Sequence, residues 1–234
     1  MDNTTDTPPS ATADAPIVFT RIAENIGLAF DTETTVLPLW KEPSEHPDQP
    51  HIVQLAAKLV NLDTREVLKS MDVLIKPEGW SWDDSAASED LAFQTHRITM
   101  ERAMTEGIPE VEAVLQFLAM VAELAPLEEV IGHNESFDHR MVRIAIKRYL
   151  DPGTPEGQEL PSDKWKAVKT FCTMWKSKPI CRLPGNKLPK LTEAFLHFTG
   201  KPMEGAHNAN SDVDGCLAVY FALKELERPA LKAA

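Results

Sequence analysis

Apolar and polar positions change from a strand-like pattern to a helix-like pattern after about residue 77. Before that point, three segments rich in apolar and β-branched residues predict strands over 26–36, 51–63 and 66–77. The first two segments are separated by 37–50, which holds four prolines and is therefore predicted to be a loop. The first part of the pattern thus predicts three strands of one sheet.

Beyond residue 77, apolar residues recur at spacings of three and four, which predicts helices. The clearest helix covers 109–125, because Pro109 stands at a first-turn position and the apolar residues share one face. Short strands are predicted over 128–134 and 167–174, with a loop over 151–163. Further helices are predicted over 85–95, 99–106, 135–149, 190–199 and 210–226. Strands followed by alternating helices and strands indicate an α/β fold with a mixed sheet.

Length and composition allow one sizeable domain: the chain has 234 residues, 43% of them hydrophobic and 26% charged. We assign the domain to 17–228, with a disordered, Thr-, Asp- and Pro-rich tail over 1–16 and a frayed C-terminus over 229–234. Neither a secretory signal nor an apolar run of roughly 18–20 residues is found, so no membrane partner is expected. The three cysteines, at no metal-like spacing, are expected to be reduced thiols of a cytoplasmic protein (Cys172, Cys181, Cys216).

The net charge of -12 argues against nonspecific binding to long duplex DNA. The charge is uneven, because segment 164–201 carries nine Lys or Arg residues and a single acid, Glu193. Either this segment is a solvated surface or, with its interleaved Trp165, Phe171 and Trp175, it faces a nucleic acid whose bases stack on the rings.

Candidate chemistry begins at the end of the first strand, where Asp31 and Glu33 follow an apolar run. Residues i and i+2 of a strand point to the same side, so the two carboxylates are predicted to project together. Asp138 is a third candidate, because it shares the apolar stripe of helix 135–149; the alternative is an acid that only stabilises the helix start.

The segment HNANSD (207–212) adds Asp212, at the start of the last helix, and His207 in the loop before it. Ser211 and Asp214 match a capping box, so the alternative for Asp212 is an acid that only stabilises the first turn of the helix. If all four acids converge, their repulsion requires divalent cations, and oxygen-only ligands select Mg²⁺ or Mn²⁺. Two such ions about 4 Å apart suit phosphodiester cleavage.

Three motifs, FDTETT (30–35), HNESFD (133–138) and HNANSD (207–212), stand in the order of the three exonuclease motifs of the DEDDh 3′–5′ exonucleases. This family includes the proofreading subunits of bacterial replicative polymerases, and the chain resembles it over about 26–226. The stretches IVQLAA (52–57) and HRIT (96–99) are also similar to the family. The resemblance implies a ribonuclease H-like fold, with a mixed five-stranded sheet flanked by helices.

The resemblance also assigns roles to individual residues. Asp31, Glu33, Asp138 and Asp212 match the four acids that bind two Mg²⁺ or Mn²⁺ ions, and His207 matches the general base. By analogy, the enzyme hydrolyses terminal phosphodiesters of single-stranded or frayed DNA and releases nucleoside 5′-monophosphates.

Substrate contacts follow from the same motifs. Thr32 and Thr34 are expected to contact the 3′-terminal nucleotide, and Asn134 and Phe137 to support the site, Phe137 mainly through core packing. Alternatives are an exoribonuclease of the same branch and a catalytically inactive nucleic-acid-binding module. Family members work in proofreading, replication or repair, which makes a DNA polymerase or a second copy of the chain candidate partners, although no clamp-binding pentapeptide is found.

The chain departs from the family in the proline-rich tract 37–50, which follows the first motif directly. An insertion there emerges beside the site, so Trp40 is a candidate for stacking on a base, against the alternative of an ordinary surface loop. The segment CRLPGNKLPK (181–190) is expected to line the side of the cleft where the strand arrives.

Overall fold

A computed structural model describes residues 25–85, 87–123 and 126–227. The tail predicted over 1–16 and the C-terminus predicted over 229–234 lie outside these residues. Within the described ranges, no helix combines the length and the apolar character needed to cross a membrane.

The centre of the fold is a mixed sheet of six strands among the described residues, in the order β4-β3-β2-β1-β5-β6. β1 is antiparallel to β2 and β2 to β3, whereas β1–β5, β5–β6 and β3–β4 are parallel. The strands are β1 (Ile26–Thr34), β2 (Ile52–Asn61), β3 (Val67–Lys76), β4 (Ile108–Pro109), β5 (Glu129–Gly132) and β6 (Thr170–Cys172). The α/β prediction is confirmed; the extra strand, β4, has two residues and is too short to show a sequence pattern.

Helices flank the sheet on both sides, and helix α4 has the predicted bounds. The helices are α1 (Leu91–His96), α2 (Met100–Glu106), α3 (Glu110–Glu123), α4 (Glu135–Tyr149), α5 (Pro161–Lys166), α6 (Thr173–Cys181), α7 (Leu191–Thr199) and α8 (Ala209–Glu227). The loop predicted over 151–163 was partly wrong, because it includes a 3₁₀ turn at Asp151–Gly153 and the start of α5.

Helix α6 was missed, since the sequence predicted a strand over 167–174 and the observed strand ends at Cys172. The side of α6 that faces the protein is formed by Thr173 and Ser177, and the Ser177 hydroxyl donates to the Thr173 carbonyl at 2.6 Å. Two small polar residues one turn apart leave no apolar period to detect.

Both faces of β1 are covered, which explains its continuous apolar run. Leu28 and Phe30 point into a core formed with α3, α4 and Trp165, whereas Ala29 points into a second core formed with α7 and α8. A strand buried on both faces shows no alternation of polar and apolar residues. Polar residues begin at Asp31, where the strand leaves the core.

Candidate active site

Asp31 and Glu33 project together from the end of β1, as the strand period predicts. Among the described residues, carboxylate oxygens of Asp31, Glu33 and Asp212 all lie within 4.8 Å of one another. On the neighbouring strand, Ala56 stands opposite Asp31, and its small side chain leaves room for the first turn of α8. Strand β1 and helix α8 therefore bring together acids that are about 180 positions apart in the sequence.

Asp138 enters from the other side of β1, in the first turn of α4, and its side chain is buried. Its Oδ1 accepts two hydrogen bonds from Thr32, one from the backbone N–H at 2.9 Å and one from the hydroxyl at 2.7 Å. Asp138 is therefore attached to β1 itself, between Asp31 and Glu33. Its charge also raises the pKa of both of these neighbours, which indicates that all four acids share one site.

Crowding of the four acids makes their ionised forms unfavourable. Burial, together with the charges of the other acids, holds the pKa of Asp31 well above its usual range. Burial and the charges of Asp212 and Asp138 raise the pKa of Glu33 to about 8. Burial raises the pKa of Asp138 to about 7, although the hydrogen bonds from Thr32 oppose the shift.

Asp212 completes the group, and burial raises its pKa to about 6 while the backbone N–H of His207 opposes the shift. Carboxylates in this position remain ionised at neutral pH when positive charge is supplied from outside the chain. The donor set consists of oxygen atoms alone, which fits hard divalent cations such as Mg²⁺ or Mn²⁺. Three of the four acids predicted from the sequence, Asp31, Glu33 and Asp212, lie close enough together to hold a cation; cation binding by all four stays a prediction.

His207 lies in the loop before α8, with its side chain exposed and its backbone in the left-handed region at φ 69°. Its N–H donates to Oδ2 of Asp212 at 3.2 Å. The predicted capping box of Ser211 and Asp214 is wrong. Helix α8 begins at Ala209, so the residue that precedes it is Asn208 and not Ser211. The Asn208 side chain accepts a hydrogen bond from the Ser211 N–H at 3.3 Å, and Asp214 pairs with Lys58 on β2.

The four residues predicted to contact or support the substrate differ in exposure and in their hydrogen bonds. Both donors of Thr32 are used by Asp138, and the Thr34 hydroxyl donates to the Val36 carbonyl at 3.0 Å. Asn134 is exposed and precedes α4 in a left-handed conformation. Phe137 packs against the core, and its half-buried ring also lines a groove. Substrate contact by these four residues stays a prediction.

The groove begins at Glu33 and has a volume of about 760 Å³. Leu37 and Leu91, which the sequence did not single out, both line it and expose 72% and 77% of their surface. An apolar residue in a proline-rich tract is the only sequence signal for Leu37. The groove is lined by Thr32, Glu33, Thr34, Val36, Leu37, Leu39, Asp90, Leu91, Ala92, Thr95 and Phe137. It is an apolar surface beside a charged site.

The tract 37–50 is held in place by hydrogen bonds to its backbone. The buried Gln49 side chain binds both the N–H and the carbonyl of Leu39 and the carbonyl of Pro43. Arg140 donates to the carbonyls of Leu39 and Glu42 and lies 5.1 Å from the ring centre of the exposed Trp40. The groove wall is therefore an ordered part of the site. Base stacking by Trp40 stays a prediction.

The basic segment 164–201 is less favourable for base stacking than its sequence suggested, because Trp165 and Phe171 are buried in the two cores. Trp175 alone of the three aromatic residues is exposed, by 57%, with the Lys178 ammonium 5.7 Å from its ring centre. Within the described part of the chain, three of the nine cations form ion pairs: Lys169 with Glu128, Lys176 with Glu227 and Lys187 with Glu193.

Two parts of this segment are attached to the residue that follows strand β5. The His133 ring, just after β5, bonds the Thr173 hydroxyl at 2.9 Å through Nδ1 and the Pro189 carbonyl at 3.0 Å through Nε2. Helix α6 and the loop before α7 are thus both attached next to the motif that carries Asp138. This brings the basic segment to the same end of the sheet as the acids.

A mixed sheet with an acidic cluster at the end of its central strand defines a nuclease of the ribonuclease H-like class. The family model described as RNase_T, exonuclease, matches residues 28–220. The chain belongs to this exonuclease family, which confirms the resemblance drawn from the three motifs. No protein of curated function matches the sequence.

Solved structures with the same fold include exonuclease I of E. coli. Its complex with a dA16 oligonucleotide has a TM-score of 0.59 at 19% identity, over 86% of this chain and 41% of that one. A zinc-bound complex of the E. coli enzyme with single-stranded DNA has a TM-score of 0.58 at 20% identity, over 87% and 41% of the two chains. A moderately thermophilic exonuclease I from Methylocaldum szegediense has a TM-score of 0.60 at 21% identity, over 86% and 40%. The chain spans about two fifths of the length of these proteins.

Proposed function

We propose that the protein is a metal-dependent 3′–5′ exonuclease that removes nucleoside 5′-monophosphates from single-stranded or frayed DNA ends. The observation that carries the proposal is the meeting of Asp31, Glu33 and Asp212 within 4.8 Å, with Asp138 beside them. Acids crowded together at a half-buried strand end repel one another, and cations bound among them would offset that repulsion.

Each residue has a role in this proposal. The four acids would hold two Mg²⁺ or Mn²⁺ ions, which when bound would supply activation of the attacking water and stabilisation of the leaving oxygen. His207 would accept a proton from the attacking water as general base, through a ring nitrogen of its exposed imidazole. Its position in a loop with an exposed side chain allows it to approach a substrate bound at the acids.

The groove accommodates the terminal nucleotide in this proposal. Leu37 and Leu91 offer apolar contacts to a base, and the groove begins at Glu33, where the phosphate must lie. Single-stranded ends are favoured because an unpaired nucleotide enters a groove of about 760 Å³ without opening a duplex. The E. coli exonuclease I structures that share the fold hold single-stranded oligonucleotides, which supports the same substrate class.

The decisive experiment is a nuclease assay on matched single-stranded DNA, mismatched duplex and RNA oligomers, with Mg²⁺, Mn²⁺ or chelator. We expect 5′-monophosphates from single-stranded DNA in the presence of either ion and none with chelator. Preferential digestion of RNA would instead identify an exoribonuclease, because the metal site handles the phosphate and a 2′-hydroxyl is read elsewhere.

Asp31→Asn supplies the matched variant, because it removes a charge and keeps the volume of the side chain. Activity should fall by a factor of about 10³ or more, as is usual when a central catalytic group is lost. Glu159→Gln, at an exposed acid in the loop before α5, is the control and should keep wild-type activity. Wild-type activity in folded Asp31→Asn would refute the site, and binding without cleavage by the wild type would indicate an inactive module. Cytoplasmic location, a polymerase partner and a dimer stay predictions.

A further inference from the structure

Gln54 lies on β2 directly opposite Glu33, and its side chain is buried with 2% of the residue exposed. Residues paired across two strands point to the same face of the sheet, so Gln54 lies beside Glu33 and beneath α8. A buried amide must find partners for both its oxygen and its nitrogen. Its two partners lie on helix α8, which carries Asp212, and on strand β3, which carries none of the four acids.

The oxygen of Gln54 accepts a hydrogen bond at 3.2 Å from the backbone N–H of Ala209, the first residue of α8. This N–H is one of the four at a helix start that have no acceptor within the helix. Asp212 lies in the first turn of the same helix. The bond therefore attaches the turn that carries one acid to the strand that faces another.

The nitrogen of Gln54 donates at 2.8 Å to Oδ1 of Asp72 on β3. A carboxylate only accepts hydrogen bonds, so the amide nitrogen must face Asp72 and the oxygen must face Ala209. Asp72 lies at the exposed surface and touches none of the four acids through a hydrogen bond described here. Its carboxylate determines the orientation of the Gln54 amide.

A second bond joins β2 to α8 on the far side of Asp212, where Lys58 pairs with Asp214. Between Gln54 and Lys58 stands Ala56, whose small side chain faces Asp31 across the strands. The helix is thus held at residues 209 and 214, on either side of Asp212. The first of these bonds is buried and lies next to Glu33, whereas Asp214 is exposed.

We propose that Gln54 is a positioning residue for the exonuclease reaction: its amide, oriented by Asp72, fixes the first turn of α8 and so the distance of Asp212 from Asp31 and Glu33. The role rests on the proposed function, because it assumes that these acids share cations. Partners that orient metal-binding groups typically contribute about 10-fold to 100-fold in metal affinity or activity. Gln54 itself is not among the residues that line the groove.

The test compares Gln54→Met, which keeps an unbranched buried side chain and removes the acceptor, with Lys58→Met, which cuts only the outer bond. In metal-free protein, we expect the amide hydrogen of Ala209 to exchange faster in Gln54→Met by about 10-fold or more, because its acceptor is lost. Calorimetry should show Mn²⁺ binding weakened about 10-fold, and kcat should fall while KM for the oligonucleotide is unchanged. Lys58→Met should stay within about twofold on each measure, because the Asp214 end of this pair is exposed to solvent and loses no buried partner.

Asp72 supplies a graded pair of variants at an exposed position. Asp72→Asn keeps an oxygen that accepts from Gln54 and should behave as wild type, whereas Asp72→Leu should reproduce part of the Gln54→Met loss. If Gln54→Met does not fold, the pair Asp72→Leu and Asp72→Asn decides the question, because both leave the core intact.

Unchanged Mn²⁺ affinity and kcat in folded Gln54→Met, or an equal loss in Lys58→Met, would overturn the role. If Gln54→Met does not fold, unchanged Mn²⁺ affinity in folded Asp72→Leu would also overturn the positioning role. A weakened Mn²⁺ site in a protein without nuclease activity would support the positioning role and refute the proposed function, so the two failures are distinguishable.

Discussion

Thr32 donates two hydrogen bonds to one carboxylate oxygen of Asp138, from its backbone N–H and from its hydroxyl. The two residues are 106 positions apart, and their contact attaches α4 to the end of β1. Because both bonds favour the ionised form of Asp138, they oppose the rise in its pKa that burial produces.

Replacing Thr32 by Val removes the hydroxyl bond and keeps the shape of the side chain. We expect the pKa of Asp138 to rise above its present value of about 7, so the acid limb of the pH–rate profile should move to higher pH. Thr34→Val is the control, because its hydroxyl donates to Val36 and not to an acid. Identical profiles for wild type and Thr32→Val would show that Asp138 does not limit activity on the acid side.

Metal-free protein should lose stability as the pH rises from about 6 to about 8. Glu33, Asp138 and Asp212 have folded-state pKa values of about 8, 7 and 6, above the unfolded values near 4. The folded state therefore binds protons more tightly, so its extra stability is present below pH about 4 and is lost as the pH passes the folded values.

Urea unfolding with chelator at pH 6 and pH 8 measures this loss, and Mn²⁺ should restore stability at pH 8 through its preference for the folded state. Asp138→Asn should flatten the pH dependence, because one of the titrating groups is gone. Equal stability of the metal-free wild type at both pH values would contradict the raised pKa values.

Leu37 and Leu91 form the exposed sides of the groove, and Leu37→Ser and Leu91→Ser should weaken binding of the terminal nucleotide. Losing part of an apolar contact of this size is expected to raise KM about threefold to tenfold, with a smaller effect on kcat. Leu226→Ser, at a residue 63% exposed on the last turn of α8, is the matched control. A fall in kcat alone would place these leucines outside substrate binding.

Glu110 connects the start of α3 to β2 and α4, since its buried carboxylate receives hydrogen bonds from the Ile52 N–H, Arg148 and the Tyr149 hydroxyl. Arg148 also donates to the carbonyls of Gln49 and Pro50, at the end of the groove wall. Glu110→Gln leaves Arg148 without its charge partner and should lower the free energy of unfolding by about 2–3 kcal/mol.

The matched control for this variant is Glu112→Gln, two residues along the same helix at an exposed position. Chemical denaturation compares the two proteins, and a KM increase in Glu110→Gln would report loosening of the 37–50 tract. Equal stabilities would show that the buried carboxylate contributes no more than a surface acid.

The amphipathic helices could be predicted from the sequence because one face of each meets the core, as in α4, where the predicted and observed bounds coincide. Helix α6 could not, since its buried side chains Thr173 and Ser177 are polar and are bonded to the Gly132 carbonyl and to the Thr173 carbonyl, respectively. The same limit applies to Trp165 and Phe171. The sequence of a basic segment with aromatic residues does not show which of the rings are buried in the core.

The acids of the site were recognisable because a carboxylate at the end of an apolar strand, or on the apolar stripe of a helix, contradicts the burial pattern around it. By itself, the sequence predicted which residues bear the chemistry, from motif order, and it determined most of the elements that carry them, because these follow from local periodicity. Tertiary structure alone decided that Thr32 holds Asp138, that Gln54 holds α8 and that Leu37 and Leu91 line one groove. Each of these pairs joins distant parts of the chain, and only the packing of helices on the sheet sets their distance and direction.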